Sequence, residues 1–352
     1  MDTIFLGVIL HFIGSFASGS FYIPYKKVNG WAWESYWISG GLISWLIVPL
    51  IAAFLTVPSF LDILRNANSV TLFWTYFFGV LWGIGGLTFG LTMRYLGLSL
   101  GMSLVMGLTS ALGALMPPIY RDLFTDAKAG TFSEMIANPG GHWVLVGVVV
   151  SLAGIALCGR AGLIKEREVP DVTKFESVKE FSLAKGAVVA LISGVLSACF
   201  SYGISAGEPL AEAAIAHGAN SLFQNNVTFM VIMWGGLTTN SIWCLWLNYR
   251  NRTFGDYTNR ATPLLRNYLL VATAGTLWFL QFFFYGMGAS RMHNDASSWV
   301  LHMSFIIIVS NLWGLYFREW QGTSAANKGV LMLGIAVILA AIAMVGYGNY
   351  LG

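Results

Sequence analysis

Charge is scarce in this 352-residue chain: Asp, Glu, Lys and Arg together make up 10%, against 56% hydrophobic residues. A water-soluble exterior of that size needs far more charged side chains, which excludes a soluble globular protein. Cysteine is equally sparse. Cys158, Cys199 and Cys244 sit in apolar runs without metal-ligand spacing and read as packing residues. No H-E-x-x-H and no phosphate loop occurs, so no catalytic constellation and no resident metal or cofactor is expected. No long basic stripe is present, which argues against a nucleic-acid partner, and no obligatory protein partner is evident. The opening run MDTIFLGVILHFIG has no basic residue ahead of it and no small-residue cleavage site. It reads as a first membrane span rather than a signal peptide.

What the chain does have is long apolar runs. A span needs about 20 mostly apolar residues, and ten runs qualify, at 4–24, 38–58, 71–93, 99–119, 143–161, 185–206, 226–247, 266–288, 297–317 and 329–350. The expected fold is an all-α integral membrane protein that crosses the lipid bilayer ten times. Of the 19 Lys and Arg residues, 15 fall in or beside the odd-numbered connections and four, Arg65, Arg121, Lys128 and Arg291, in the even ones. Basic residues favour the cytoplasmic side, so the odd connections are expected inside and both termini outside. Glu208 and Glu212 read as outer-surface carboxylates of little consequence.

The chain also repeats itself. GVLWGIGGLTFGLTMR (Gly79 to Arg94) and GTLWFLQFFFYGMGASR (Gly275 to Arg291) share Gly-x-Leu-Trp, seven residues, Gly, and then Arg four or five further on. Gly147 to Gly159 parallels Gly334 to Gly346, and SGSF at Ser18 parallels SACF at Ser197. Spans one to five therefore correspond to six to ten, and an odd number of helices per unit inverts the second copy. Chance likeness between glycine-rich helices is the competing reading. The expected organisation is a first five-helix repeat at 1–161, a cytoplasmic connection at 162–184 and a second repeat at 185–352. Such a duplication is a common way to build a carrier around a central site.

Trp82 and Trp278 hold the same repeat position, deeper than an interfacial belt, whereas Trp31, Trp33, Trp37, Trp143 and Trp320 fit that belt. An indole stacks on the C–H face of a ring and donates its N–H to a hydroxyl. Gln281 and Tyr285, four apart, share a helix face with Trp278 nearby, and Gln281 either meets a polyhydroxylated ligand or bonds to a neighbouring helix. Ionisable groups at membrane depth are functional candidates. His11 and His302 could bond a hydroxyl, carry a proton, or simply pack. Asp295, in the charged group RMHND, is a proton acceptor, a gate or a solvated loop residue. Glu34, in NGWAWESYW, is an interface anchor or a second proton-carrying carboxylate. Arg94 and Arg291 end equivalent helices and are the gating candidates.

FYIPYKKVNGWAWESYW, LWGIGGLTFGLTMRYLGLSLG, GRAGLIKERE, LWFLQFFFYGMGASR and SWVLHMSF, in collinear order over nearly the whole chain, resemble signature stretches of the bacterial L-rhamnose/proton symporter family. That family belongs to the drug/metabolite transporter superfamily, whose ten-span members are inverted five-helix repeats. The resemblance implies uptake of L-rhamnose with a co-transported proton across the bacterial inner membrane, by a transporter that is not an enzyme. It places Trp82, Trp278, Gln281, Tyr285 and His302 at the sugar, with His11 and Tyr22 from the pseudo-symmetric side, and makes Asp295, Glu34, His11 and His302 the proton candidates. A transporter of another deoxy sugar or metabolite, a proton-independent facilitator, and a sugar-responsive membrane receptor are the alternatives.

Overall fold

The computed structural model describes residues 3–96, 98–126, 129–168, 183–292 and 294–351. Most of the expected connection at 162–184, and His293 of the RMHND group, lie outside the described residues. Among the described residues there is no strand, and ten helices are long and apolar enough to cross a membrane. They are Thr3–Tyr25, Trp33–Thr56, Ser69–Thr92, Ser103–Phe124, Pro139–Lys165, Ala184–Ala216, Ser221–Asn251, Leu264–Ala289, Asp295–Tyr316 and Ala325–Leu351, spans one to ten below. All ten expected runs are present. Several extend further than hydropathy alone suggests, because helical hydrogen bonding continues into the polar ends: the fifth helix continues to Glu168.

Neighbour relations follow a simple exchange rule. Span one packs on eight and nine, while span six packs on three and four. Span seven packs on three and span two on eight, span four on five and span nine on ten. Replacing each span by its proposed equivalent turns each of these pairs into another contacting pair. The pairs two–seven, four–nine and five–ten meet each other directly.

Small residues set these contacts at repeat-equivalent places, as expected where lipid gives helices no hydrophobic reason to associate and close backbone packing must hold them. A side chain at Gly79 would run into the Ile232 carbonyl on span seven, and one at Gly275 would lie 2.5 Å from the Gly40 carbonyl on span two. In the register of the two tetrapeptides Gly14 corresponds to Ser193, and in that of the two tryptophans Gly85 corresponds to Gln281. The Ser193 hydroxyl donates to the Gly85 carbonyl at 3.0 Å. A Cβ at Gly14 would sit 2.8 Å from the Gln281 carbonyl. Spans five and ten run antiparallel: Gly154 faces Gly334 and Ile338, Gly147 faces Ala341 and Val345, and Gly348 faces Val144.

One stretch departs from α-helical geometry. Ile43–Ile47 in span two forms a π-helical turn, an insertion of the kind often retained at functional sites.

Candidate functional site

Spans one, eight and nine enclose a buried polar cluster. His11, Ser15, Gln281, Tyr285, Trp299 and His302 are all less than 5% exposed. The Tyr285 ring lies 5.3 Å from His11 and 5.2 Å from His302, centroid to centroid, and the two imidazoles are 6.1 Å apart. Gly288 makes the room, since a Cβ there would lie 2.9 Å from the His11 ring. Ser15 Oγ donates to the His302 carbonyl at 2.9 Å and lies 3.0 Å from His302 Nδ1. A hydroxyl has one hydrogen. With it on the carbonyl, the oxygen accepts Nδ1–H, which leaves the lone pair of a neutral His302 on Nε2. Trp299 closes the cluster, donating its indole N–H to the Thr109 carbonyl on span four at 3.0 Å.

Hydrogen-bonding capacity in this cluster is unmet. Among the described residues, both ring nitrogens of His11, Nε2 of His302 and Nε2 of Gln281 are buried without a partner, as are, toward the start of span nine, the hydroxyls of Ser297 and Ser298. An orphaned buried polar group costs about 1–3 kcal/mol. Such a concentration makes this the candidate place for a polar ligand or a proton.

Aromatic rings lead away from the cluster. Trp82 and Trp278 both lie beside Phe282, at 5.8 and 6.5 Å, and Trp278 continues to Phe21 at 4.3 Å and Trp37 at 6.3 Å. Phe21, Tyr25, Trp37, Gly41, Ser44, Trp45 and Trp278 line a small cavity of about 10 Å³, room for a single water. The sequence pattern puts Trp37 in the interfacial belt. It lies here instead, because its indole N–H reaches Asn240 Oδ1 on span seven at 2.9 Å. Trp31 and Trp320, also expected at the interface, are buried.

The remaining candidates separate to the two ends of the bundle. Asp295, at the start of span nine, pairs with Arg121 of span four at 3.2 Å, and the same guanidinium pairs with Glu208 at 3.2 Å. Pro118, Arg121, Gly130, Asn294, Asp295 and Ala296 line a cavity of about 70 Å³ there. Glu208 is thus a partner in an ion-pair network rather than an inconsequential surface group. Sequence reasoning misses Arg121 and Glu208 as site residues, although one signal is available: Arg121 breaks the charge rule as Arg291 does. Arg291 makes no ion pair among the described residues, and its Nε is buried without a partner. The side chain of Arg94 lies outside the described residues.

Glu34 is buried at the opposite end, where Oε1 accepts from Asn251 Nδ2 and Thr253 Oγ1, both at 2.9 Å. Beside it Asp256 accepts from the Ser35 hydroxyl at 2.7 Å and the Ala32 N–H at 2.8 Å. Tyr22 is 41% exposed and touches Phe21 and Tyr25 edge-on, so the structure does not bring it to the histidines.

Comparison with known proteins gives a consistent picture. Residues 1–350 match the family described as L-rhamnose-proton symport protein. A protein of Yersinia pestis (strain Pestoides F) described as L-rhamnose-proton symporter is 38% identical over 352 residues, covering 99% of this chain and 98% of its own. One of Cronobacter sakazakii (strain ATCC BAA-894) with the same description is 39% identical with the same coverage. A crystal structure at 12% identity superposes with a TM-score of 0.56 over 98% of this chain and 97% of that one, which speaks to the fold alone.

Proposed function

This chain belongs to the L-rhamnose-proton symport protein family, and from that membership we propose that it takes up L-rhamnose together with a proton by alternating access. The match over residues 1–350 carries the reading. The exchange rule among helix neighbours supports two inverted five-helix halves as the moving units, and the superfamily resemblance fits the same architecture. The skew of basic residues toward the odd connections supports both termini on the periplasmic face of the inner membrane.

In this reading the sugar meets the unmet donors and acceptors of His11, Gln281 and His302, with Tyr285, Trp82 and Trp278 as ring surfaces and Tyr22 at the inner end of the path. The coupling proton enters past Asp295 and is held at His302 or His11. Glu34, whose carboxylate braces span two to the segment after span seven, serves structure instead. Arg121 joins Arg291 and Arg94 as a gating residue. One charge crossing about 150 mV yields roughly 3.5 kcal/mol, enough for a concentration ratio of a few hundred in a neutral sugar.

The test is purified protein in proteoliposomes. Adding L-rhamnose should alkalinise the outer medium, and vesicles preloaded with L-rhamnose should take up labelled sugar by counterflow. Counterflow without a pH change would make the protein a facilitator. Neither response would end the rhamnose reading.

A further inference from the structure

Span nine carries charge at both of its ends. Its first residue, Asp295, pairs with Arg121. Its helix closes at Tyr316, and Glu319 follows at the opposite end of the bundle. The two carboxylate oxygens of Glu319 face different spans: Oε1 lies 3.4 Å from Lys26 Nζ, and Oε2 lies 3.9 Å from Lys165 Nζ. Lys26 follows the short helix Tyr22–Tyr25 that closes span one, and Lys165 lies in the last turn of the span-five helix.

Local backbone geometry fixes that carboxylate. The Arg318 N–H donates to the Leu315 carbonyl at 3.1 Å and the Glu319 N–H to the Gly314 carbonyl at 2.9 Å, the paired bonds of a Schellman cap. Arg318 takes the left-handed position at φ 58°, where glycine is the usual choice. Two rings of the same turn hold the cations. Lys26 Nζ lies 5.9 Å from the Phe317 centroid and Lys165 Nζ 4.9 Å from that of Trp320, distances at which a ring face attracts an ammonium group.

The exchange rule relates this centre to the one at the other mouth. Arg121–Glu208 joins the end of span four to the short helix Glu208–Ala216 that closes span six. Replacing four by nine and six by one gives a pair between the end of span nine and the close of span one, which is Glu319–Lys26. The polarity is reversed. One cation holds two carboxylates at the first mouth, and one carboxylate meets two cations at the second. Beneath the second centre, spans one and nine are shut: Ser20 is buried and accepts the Trp313 indole N–H at 2.8 Å, and a Cβ at Gly19 would strike Val309.

We propose that Glu319, with Lys26 and Lys165, is the latch of this second mouth and the counterpart of Arg121. It closes the seam between spans one and nine on the side that faces the cytoplasm in the proposed orientation. The assignment rests on the alternating-access reading above and names the residues that must part for the sugar to leave. Lys26 and Glu319 are 60% and 45% exposed, and an ion pair so solvated is weak enough to break in every cycle.

The test uses Ser20→Cys as a reporter of the seam, read as its rate of labelling by a hydrophilic maleimide in nanodiscs, where both faces are open to reagent. Glu319→Gln should raise that rate about fivefold, the scale of a lost exposed ion pair. Lys26→Gln should raise it less, because Lys165 still meets the carboxylate, and should add nothing in the Glu319→Gln background. Glu319→Arg combined with Lys26→Glu and Lys165→Glu copies the polarity of the Arg121 mouth and should bring the rate back toward wild type. Glu168→Gln, which removes a carboxylate bonded to Ser324 at the same end, should label as wild type. Ala296→Cys, at the Arg121 mouth, should label no faster in the Glu319→Gln background. An unchanged Ser20→Cys rate in Glu319→Gln, or an equal rise at Ala296→Cys that marks general loosening of the bundle, overturns the latch alone. Wild-type protein without L-rhamnose counterflow overturns the transport reading instead, whatever the labelling shows.

Discussion

Arg121 and Asp295, 174 residues apart, pair at 3.2 Å between spans four and nine, and the second nitrogen of the guanidinium holds Glu208 at the same distance. The Arg121 side chain is 17% exposed while its partners are 57–58% exposed. Each pair is therefore worth at most about 1 kcal/mol. That suits a gate, which must open within a transport cycle. Arg121→Ala should shift the open-to-closed ratio of this mouth about fivefold. Ala296, buried beside the pair, reports it: Ala296→Cys should react faster with an impermeant maleimide in the Arg121→Ala background. The native cysteines are buried, so background labelling is low. Equal labelling rates with and without Arg121 would sink the clamp.

In the proposed symport the coupling proton needs an acceptor at membrane depth. His302 offers Nε2 while Ser15 fixes its other nitrogen, and Asp295 opens the same helix. His302→Ala or Asp295→Asn should abolish accumulation driven by a pH gradient. Counterflow needs no net proton movement and should survive in Asp295→Asn, whereas His302→Ala also removes a sugar contact and should weaken it. If both variants still concentrate L-rhamnose normally, neither residue carries the coupling proton.

The contrast between these residues and the ten helices shows how far the sequence could be read. A helix in lipid satisfies its own backbone and displays apolar side chains, so each span is written in about 20 consecutive residues and can be found from them alone. The repeat glycines are legible for a related reason: a close approach demands glycine locally, whatever lies opposite. Gly79 and Gly275 mark such approaches without revealing their partners. The sites are different. Arg121 finds Glu208 87 residues away and Asp295 174 residues away, and nothing beside Arg121 in sequence announces either. Trp45 and Ser44 resemble any apolar helix residues until a π-turn redirects them. Trp278 is legible because the repeat singles it out; Trp37 resembles an interfacial anchor because its partner Asn240 lies on another span.

Glu34 illustrates the same limit and gives a further test. Its setting among tryptophans and tyrosines suggests a proton site, yet its oxygen serves two donors that lie 217 and 219 residues away. Removing a buried acceptor strands those donors at a cost of about 1–3 kcal/mol. Glu34→Ala should therefore lower the melting temperature in detergent while leaving the pH dependence of residual uptake in place. A variant that melts as wild type but loses proton coupling would restore Glu34 to the proton pathway.

The helix contacts themselves can be tested with glycines that share a helix but differ in surroundings. Gly79 abuts the Ile232 backbone and Gly275 abuts the Gly40 backbone, and neither backbone can move aside as a flexible side chain would. Gly86 lies on the same helix as Gly79, and a Cβ there would meet nothing within 4 Å. Over-packing a close contact costs about 1–3 kcal/mol, whereas Gly to Ala in an open helical position gains a little through helix propensity. Gly79→Val and Gly275→Val should each depress thermal stability and uptake, by similar amounts if the two halves are matched as proposed. Gly86→Ala should melt at or slightly above the wild-type temperature. If Gly79→Val is harmless and Gly275→Val is not, the two contacts are unequal and the argument for matched halves loses its packing support.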